Sequence, residues 1–295
     1  MKTPRIHFFL VLLVLICFGW VTNVRAAGDD PGVVEAILKK AKEVFEPSNP
    51  SLRKVVITLK SNETQTAQWT AAGAMKMLPD GGKGMLLVLL EPNYTKGVAY
   101  LAIERKDQPN DMFIYLPSVR RVREIISDEQ FDRFLGSDFT YSDLGFIRQH
   151  KNYRLVGTEK LGGVESYKLE ETIPGAPSYY SKILLWISKE SLLPLQREFY
   201  DAAGRLWKVE TFDDVTVISG VPTPMRITMK DVRNNTSTEL KLSEVQYCGS
   251  LDDILFDAKN LSEVSANPIW QPYCSLPGTG AGETKSEEPT AAPEK

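Results

Sequence analysis

From Leu52 to Tyr247 the chain repeats one pattern: stretches of strand length with apolar residues at alternate positions, broken by Gly, Asn, Asp and Pro. Alternation with period two puts the apolar side chains on one face of a strand, so β structure dominates the fold. A first series, 52–60, 64–78, 84–91, 97–104 and 111–116, is punctuated by Asn62, Pro79-Asp80-Gly81-Gly82, Pro92-Asn93 and Pro109-Asn110. A second, 153–160, 164–172, 181–188, 194–200, 205–212, 224–231 and 236–247, is punctuated by Gly162-Gly163, 201–204 and Asn234-Asn235. Turns this short join antiparallel neighbours. About twelve strands in hairpin succession predict a mainly β (α+β) fold: an unclosed, strongly curved antiparallel barrel with an N-terminal helix and short helices on its concave apolar face.

The helix is read at 32–46, where Val33, Val34, Ile37, Leu38, Ala41 and Phe45 follow helical spacing after Pro31 at a first-turn position. A second, short helix is predicted at 127–135, with Ser127 and Gln130 in a capping-box pattern. It leads into the aromatic loop 136–145 between the two strand series. Gly136 and Gly145 predict hinges, Phe139 and Tyr141 apolar cover, and Ser137, Asp138 and Asp143 positions that are hydrated or cap helix ends. Phe131, Phe134 and Phe139 acting as a fixed plug is the competing reading.

Both termini depart from this composition. Lys2 and Arg5 precede the apolar run 8–20, and Val24-Arg25-Ala26 offers small residues at a cleavage site, so residues 1–26 read as a secretory signal peptide cleaved near Ala26. Residues 275–295, dominated by Pro, Gly, Ala, Thr and Glu, read as a disordered tail. The intervening 27–274 reads as one domain. Loss of Lys2, Arg5 and Arg25 lowers the basic count from 35 to 32 against 38 acidic residues, a formal net charge of −6. Nucleic acid is therefore not an expected partner. Loss of His7 and Cys17 leaves His150, Cys248 and Cys274 as the whole imidazole and thiol inventory. No metal or cofactor is expected from so few ligands, and two cysteines in an exported chain predict a disulfide.

Motifs of catalysis are equally scarce. The chain contains no G-x-S-x-G or HExxH, and His150 sits in the polar run Arg148-Gln149-His150-Lys151. Asp213-Asp214 and Asp252-Asp253 are adjacent carboxylates, which point to opposite faces of a strand and do not form an acid/base pair. Gly81-Gly82-Lys83-Gly84 precedes a strand rather than a helix, which fits a hairpin turn and not a phosphate loop. No enzymatic activity is predicted. Arg120, Arg121 and Arg123 read either as a contact for an anionic headgroup or partner carboxylate, or as a charged sheet edge that resists aggregation. Met75, Met77, Met85, Met112, Met225 and Met229 all fall in predicted strands, where methionine fills cores or lines adaptable binding surfaces.

The run DMFIYLPSVRRVRE at 111–124, followed by FLGSDFTYSDL at 134–144, resembles the bacterial outer-membrane lipoprotein-sorting family of the LolA/LolB/LppX-like superfamily. FDDV at 212–215, VPTPMRI at 221–227 and Leu255-Phe256 are similar to it as well, so that the resemblance spans most of 33–262. It implies a periplasmic, non-enzymatic module whose concave apolar face, lidded by helices, shelters acyl chains. The partners it implies are lipid or lipoprotein acyl chains and an inner-membrane exporter, with only transient contact to a membrane. No lid arginine of LolA type aligns; Arg121 and Arg123 occupy the nearest motif position. A non-catalytic adaptor of an envelope complex is the alternative.

Period two assigns the candidate cavity wall. Met85, Leu87 and Leu89 share a face, as do Met112 and Ile114, with Tyr100 on the strand between; Phe131, Phe134, Phe139 and Tyr141 are its expected cover. Residues 85–90 are apolar at every step, so both faces of that strand must be covered.

Overall fold

The computed structural model describes residues 31–45, 49–105, 110–144, 152–172, 179–267 and 274–275. The expected signal peptide, the hinge at Gly145, His150 and the tail beyond Ser275 lie outside the described residues. Helix α1 (Pro31–Phe45) buries Val34, Ile37 and Ala41, the stripe that its sequence spacing dictates.

Thirteen strands follow the order of two hairpin series: β1 (Ser51–Ser61), β2 (Thr64–Met77), β3 (Lys83–Glu91), β4 (Ala99–Glu104), β5 (Asp111–Leu116) and β6 (Arg121–Glu124), then β7 (Asn152–Leu161), β8 (Val164–Thr172), β9 (Lys182–Ser188), β10 (Pro194–Tyr200), β11 (Leu206–Ile218), β12 (Val221–Asp231) and β13 (Thr236–Tyr247). They form one sheet in the order β6-β5-β4-β3-β2-β1-β13-β12-β11-β10-β9-β8-β7. Each series is a meander, and the pairing of β1 with β13 seals the two at the centre of the sheet. β6 and β7 remain as edges, so the barrel is unclosed.

Register defines the two faces. Met85, Leu87 and Leu89 stand on one side of β3, in line with Tyr100 across on β4 and Ile114 beyond it on β5. The same face continues through Val55 and Ile57 to Leu242 and Leu240 on β13, then Ile227 on β12 and Phe212 on β11. This is the concave side. Helix α1 lies on it, packed against Leu169, Leu185 and Ile187 of β8 and β9. The segment from Ile125 to Leu144 crosses it from the first series to the second.

Leu86 and Val88 point to the opposite side, joining Leu52, Leu101 and Ile103 in a second core. The chain after β13 covers them. Asp252 and Asp257 start two 3-10 turns (Asp253–Phe256 and Ala258–Asn260) by accepting hydrogen bonds from the Ile254 and Lys259 N–H groups. These turns and α2 (Leu261–Ala266) then press Leu255, Phe256, Leu261 and Val264 onto the sheet. Gly84 makes room for this cover, because a Cβ there would stand 2.5 Å from Cδ1 of Phe256. The Cys248–Cys274 disulfide ties the covering segment down, and its ends pair as β14 (Ser250–Leu251) and β15 (Cys274–Ser275). Both faces of β3 are thus covered. The short helices were expected on the concave face alone, but α2 and its two preceding turns serve the outer one.

Two local differences have clear causes. The helix expected at 127–135 is instead two 3-10 turns, Ser127–Phe131 and Phe134–Gly136. The cap sits one residue early, with the Glu129 carboxylate accepting from the Ile126 N–H at 3.3 Å. Leu135 (φ 50°) and Gly136 (φ 76°) then reverse the chain, which a continuous helix cannot do. β6 adds an edge strand at the arginine run, where all four residues are exposed.

Candidate functional site

The crossing segment is a strap fastened to both halves of the sheet. On the first half, the rings of Tyr100, Phe134 and Tyr141 meet with centroids 5.4–5.5 Å apart, and the Tyr100 hydroxyl donates to the Tyr141 carbonyl at 2.9 Å. The strap closes on itself where the Phe134 N–H donates to the Phe139 carbonyl at 2.8 Å. On the second half its acids are consumed. The Thr238 hydroxyl donates to Asp138 at 2.8 Å, Thr236 donates to the other carboxylate oxygen, and Lys208 reaches Asp143 at 3.2 Å beside the Tyr180 hydroxyl at 3.0 Å. Arg133 adds an ion pair to Asp231 at 3.2 Å. Burial pushes the Asp231 carboxyl up, but N–H donors of Asn234, Trp207 and Arg233 outweigh it and hold the group below its ordinary value.

Ser137, Asp138 and Asp143, expected to be hydrated or to cap helix ends, are instead buried. A charge or hydroxyl there is stable only because each has a partner. The polar residues of the loop fasten the strap; they do not wet its surface.

Under the strap, between β2, β1, β13 and β12, lies a recess of about 690 Å³, counting space open to solvent. Val55, Ile57, Leu87, Leu240 and Leu242 form its floor, and Phe134, Phe139 and Leu144 its roof. A neighbouring recess of about 590 Å³ opens towards Phe45, Ser51, Met77, Thr223 and Tyr247. A third, about 420 Å³, lies by Met85, Tyr100, Met112 and Tyr141. The first two adjoin, sharing Arg53, Met75, Ile227 and Leu242 in their walls.

Arg53 stands at their junction. It faces Gly73 on β2, and a Cβ at Gly73 would come within 3.1 Å of the Arg53 Cγ. On its other side β13 bulges: Leu52 pairs with Gln246 and Lys54 with Ser243, leaving Glu244 (φ 50°) and Val245 against Arg53 alone. One end of the guanidinium bonds the Ser51 hydroxyl. Its Nε is buried with no hydrogen-bond partner among the described residues. Burial pushes the guanidinium below its ordinary value, opposed in part by nearby Tyr247.

The expected wall residues divide into three groups. Met85, Leu87, Tyr100, Met112, Phe134, Phe139 and Tyr141 line the recesses. Leu89 and Ile114 share their face but are packed into the core beside them. Phe131 stacks on Tyr179 with centroids 5.0 Å apart, at the second half of the sheet. Arg120 lies in the turn before β6, and Arg121 and Arg123 lie on β6 itself; Arg123 holds Glu129 through contacts of 2.6 and 2.7 Å. Four of the strand methionines, Met75, Met77, Met85 and Met112, line recesses, whereas Met229 is fully buried core. Sequence reading missed Arg53, Gly73 and the β12 and β13 floor. The signal for Val55 and Ile57 was present in the alternation of 52–60; that for Leu240 and Leu242 depends on a pairing between the first and last strands.

No group of acidic, histidine or cysteine side chains among the described residues is placed to hold a metal ion. The arrangement defines a protein of the unclosed-barrel class, with an apolar chamber between a curved antiparallel sheet and its own crossing strap. A family model described as "Uncharacterized protein"-like matches residues 81–263. Among solved structures, a DUF1329 family protein from Desulfovibrio piger is 26% identical, with a TM-score of 0.74 over 79% of this chain and 99% of that one. An outer membrane lipoprotein-sorting protein domain from Vibrio parahaemolyticus is 25% identical, with a TM-score of 0.73 over 77% of this chain and 97% of that one. A LolA superfamily protein from Nitrosomonas europaea, 23% identical with a TM-score of 0.59 over 76% and 96%, shares the fold. No curated protein matches the chain. The chain belongs to the family whose model spans residues 81–263, and its likeness to the DUF1329 family protein and to the outer membrane lipoprotein-sorting protein domain agrees with the resemblance read from its sequence.

Proposed function

We propose that this protein is a periplasmic carrier that shelters acyl chains of a lipoprotein or lipid in the chamber beneath the strap. It would act in outer-membrane lipoprotein sorting, or as an accessory to an inner-membrane exporter of lipids or hydrophobic solutes. The observation that carries this reading is the recess of about 690 Å³ between the strands and the strap, apolar apart from Arg53 and Ser137. Each methylene moved from water into such a site contributes about 0.8 kcal/mol, so a chain of about 14 carbons contributes on the order of 10 kcal/mol with no polar chemistry at all. Carriage needs no catalytic group, and the scarcity of catalytic motifs agrees with it.

Two features of the chain support this location. Residues 1–26 have the order of a cleavable export signal, and the Cys248–Cys274 bond belongs to an oxidising compartment. Because the strap is fastened at both ends, an acyl chain would enter through the second chamber, by Ser51 and Tyr247, without displacing the strap.

The test is organic extraction of protein purified from its native envelope. About one lipid per protein is expected in the extract. Lipid-free protein that still holds envelope partners would instead favour an adaptor, for which β6 and β7, the edges of the sheet among the described residues, offer strand-addition sites.

A further inference from the structure

We infer that the cargo carries an anionic headgroup, a carboxylate or a phosphate, and that Arg53 binds it where the two chambers meet. This inference rests on the carrier reading and specifies the chemistry of what is carried.

The argument starts from cost. A guanidinium taken out of water needs hydrogen-bond acceptors for its N–H groups, and a buried arginine is ordinarily met by a carboxylate. Arg197, on the same face, follows that rule with Glu210, and buried Lys208 follows it with Asp143. Arg53 does not. Among the described residues it has no salt-bridge partner, its guanidinium donates to the neutral hydroxyl of Ser51, and its Nε is buried without an acceptor. Neither recess it lines has an acidic side chain in its wall.

The backbone around Arg53 is shaped to keep it there. Gly73 opposite leaves space for the aliphatic stem, and the β13 bulge breaks the ladder beside it. The two chambers differ in chemistry on either side of the guanidinium. One is walled by Val55, Ile57 and Leu240. The other carries the hydroxyls of Ser51, Thr223 and Tyr247, the last two joined by a 2.8 Å contact, together with Lys76 and Lys83. An amphiphile with its tail in the first and an anionic oxygen at Arg53 would supply the missing acceptors and leave the head facing hydroxyls. Arg123 is a weaker candidate for this role, because Glu129 already neutralises it at an exposed edge.

The experiment titrates delipidated, disulfide-bonded protein with laurate, dodecyl phosphate, dodecanol and inorganic phosphate by calorimetry at pH 8. Laurate and dodecyl phosphate are expected to bind about tenfold or more tightly than dodecanol, as a charge-assisted pair in a poorly hydrated site provides. The better of the two identifies the head. Arg53→Met should remove the preference and leave dodecanol unchanged, and Arg53→Lys should keep part of it. Equal affinities for laurate, dodecyl phosphate and dodecanol in the wild-type protein would overturn the role of Arg53 while leaving a carrier, and this comparison needs no variant to fold. Inorganic phosphate binding as well as dodecyl phosphate would overturn the amphiphile. Binding of none of the dodecyl ligands would instead remove the carrier reading itself.

Discussion

Arg53 on β1 lies across Gly73 on β2, with its Cγ 3.1 Å from where a Gly73 Cβ would stand. The absence of one side chain therefore creates the space in which another is held. Gly73→Leu should place a branched side chain over the floor of the chamber, push the Arg53 stem aside and fill volume needed by an acyl chain. Strand geometry tolerates leucine, so the protein should fold, and lipid recovered by extraction should fall to a small fraction of the wild-type amount. Full lipid content in a folded Gly73→Leu protein would place the cargo elsewhere.

Leu87 and Ile114 share a face but differ in surroundings, and the same substitution should separate them. Leu87 is only partly buried and lines the chamber, so Leu87→Glu should cost modest stability and abolish lipid retention. Ile114 is packed into the core, where an unpaired carboxylate costs about 3 kcal/mol or more. Ile114→Glu should thus show its effect in thermal or urea unfolding. The reverse result, a stable Ile114→Glu and an unfolded Leu87→Glu, would exchange their roles.

Cys248 and Cys274 close a loop across 26 positions that includes the outer cover of the sheet. On the loop-entropy argument the bond contributes roughly 3 kcal/mol. Cys248→Ser with Cys274→Ser should lower the urea midpoint accordingly and speed exchange first at Leu255 and Leu261, which the bond tethers to β3 and β4. Unchanged stability in the double variant would mean that apolar packing alone holds the cover.

Asp201 sets an acid limit to stability. The Arg205 backbone N–H, then the side chains of Arg205 and Arg233, hold its carboxyl down to about 2 against the opposing effect of burial. A carboxyl depressed in the folded state is protonated first in the unfolded chain, so its contribution is complete above the ordinary carboxylate range and is lost as pH falls from about 4 towards about 2. Asp231 shifts in the same direction and adds to the loss. Glu210, raised by burial that its Arg197 pairing only partly offsets, acts at higher pH, where its contribution grows as pH falls towards the ordinary carboxylate range. Asp201→Asn should flatten the decline in urea midpoint over that pH interval; an unaltered slope would assign it to other groups.

The legible part of this fold was the part governed by local rules. Period two located nearly every strand, and the apolar stripe of 32–46 located α1 within a residue at each end. Four of the seven expected wall residues that line recesses, Met85, Leu87, Tyr100 and Met112, do so because β3, β4 and β5 are consecutive antiparallel neighbours, whose register follows from the short connections between them. Arg53, Leu240 and Leu242 were hidden for the opposite reason. They become neighbours only through pairing of β1 with β13, strands separated by almost the whole domain, and through a bulge that no turn residue announces. Ser137, Asp138 and Asp143 were misplaced because polarity in a loop normally means hydration. Here it meant partners, Thr238 and Lys208, which lie far along the chain.

Those partners decide whether the strap moves. Phe134, Ser137, Tyr141, Ser142 and Asp143 all donate their backbone N–H groups within the strap, and Asp138 and Asp143 are locked to β13 and β11. Amide exchange over 134–143 should therefore be as slow as over β4, with or without laurate. Asp138→Ala deletes the acceptor of Thr236 and Thr238 and should cost about 1–3 kcal/mol, with exchange accelerating across 134–143 while 164–172 is unaffected. If instead the wild-type strap exchanges quickly when empty and slowly when laurate is bound, it is a gate, and cargo enters beneath it rather than past Ser51 and Tyr247.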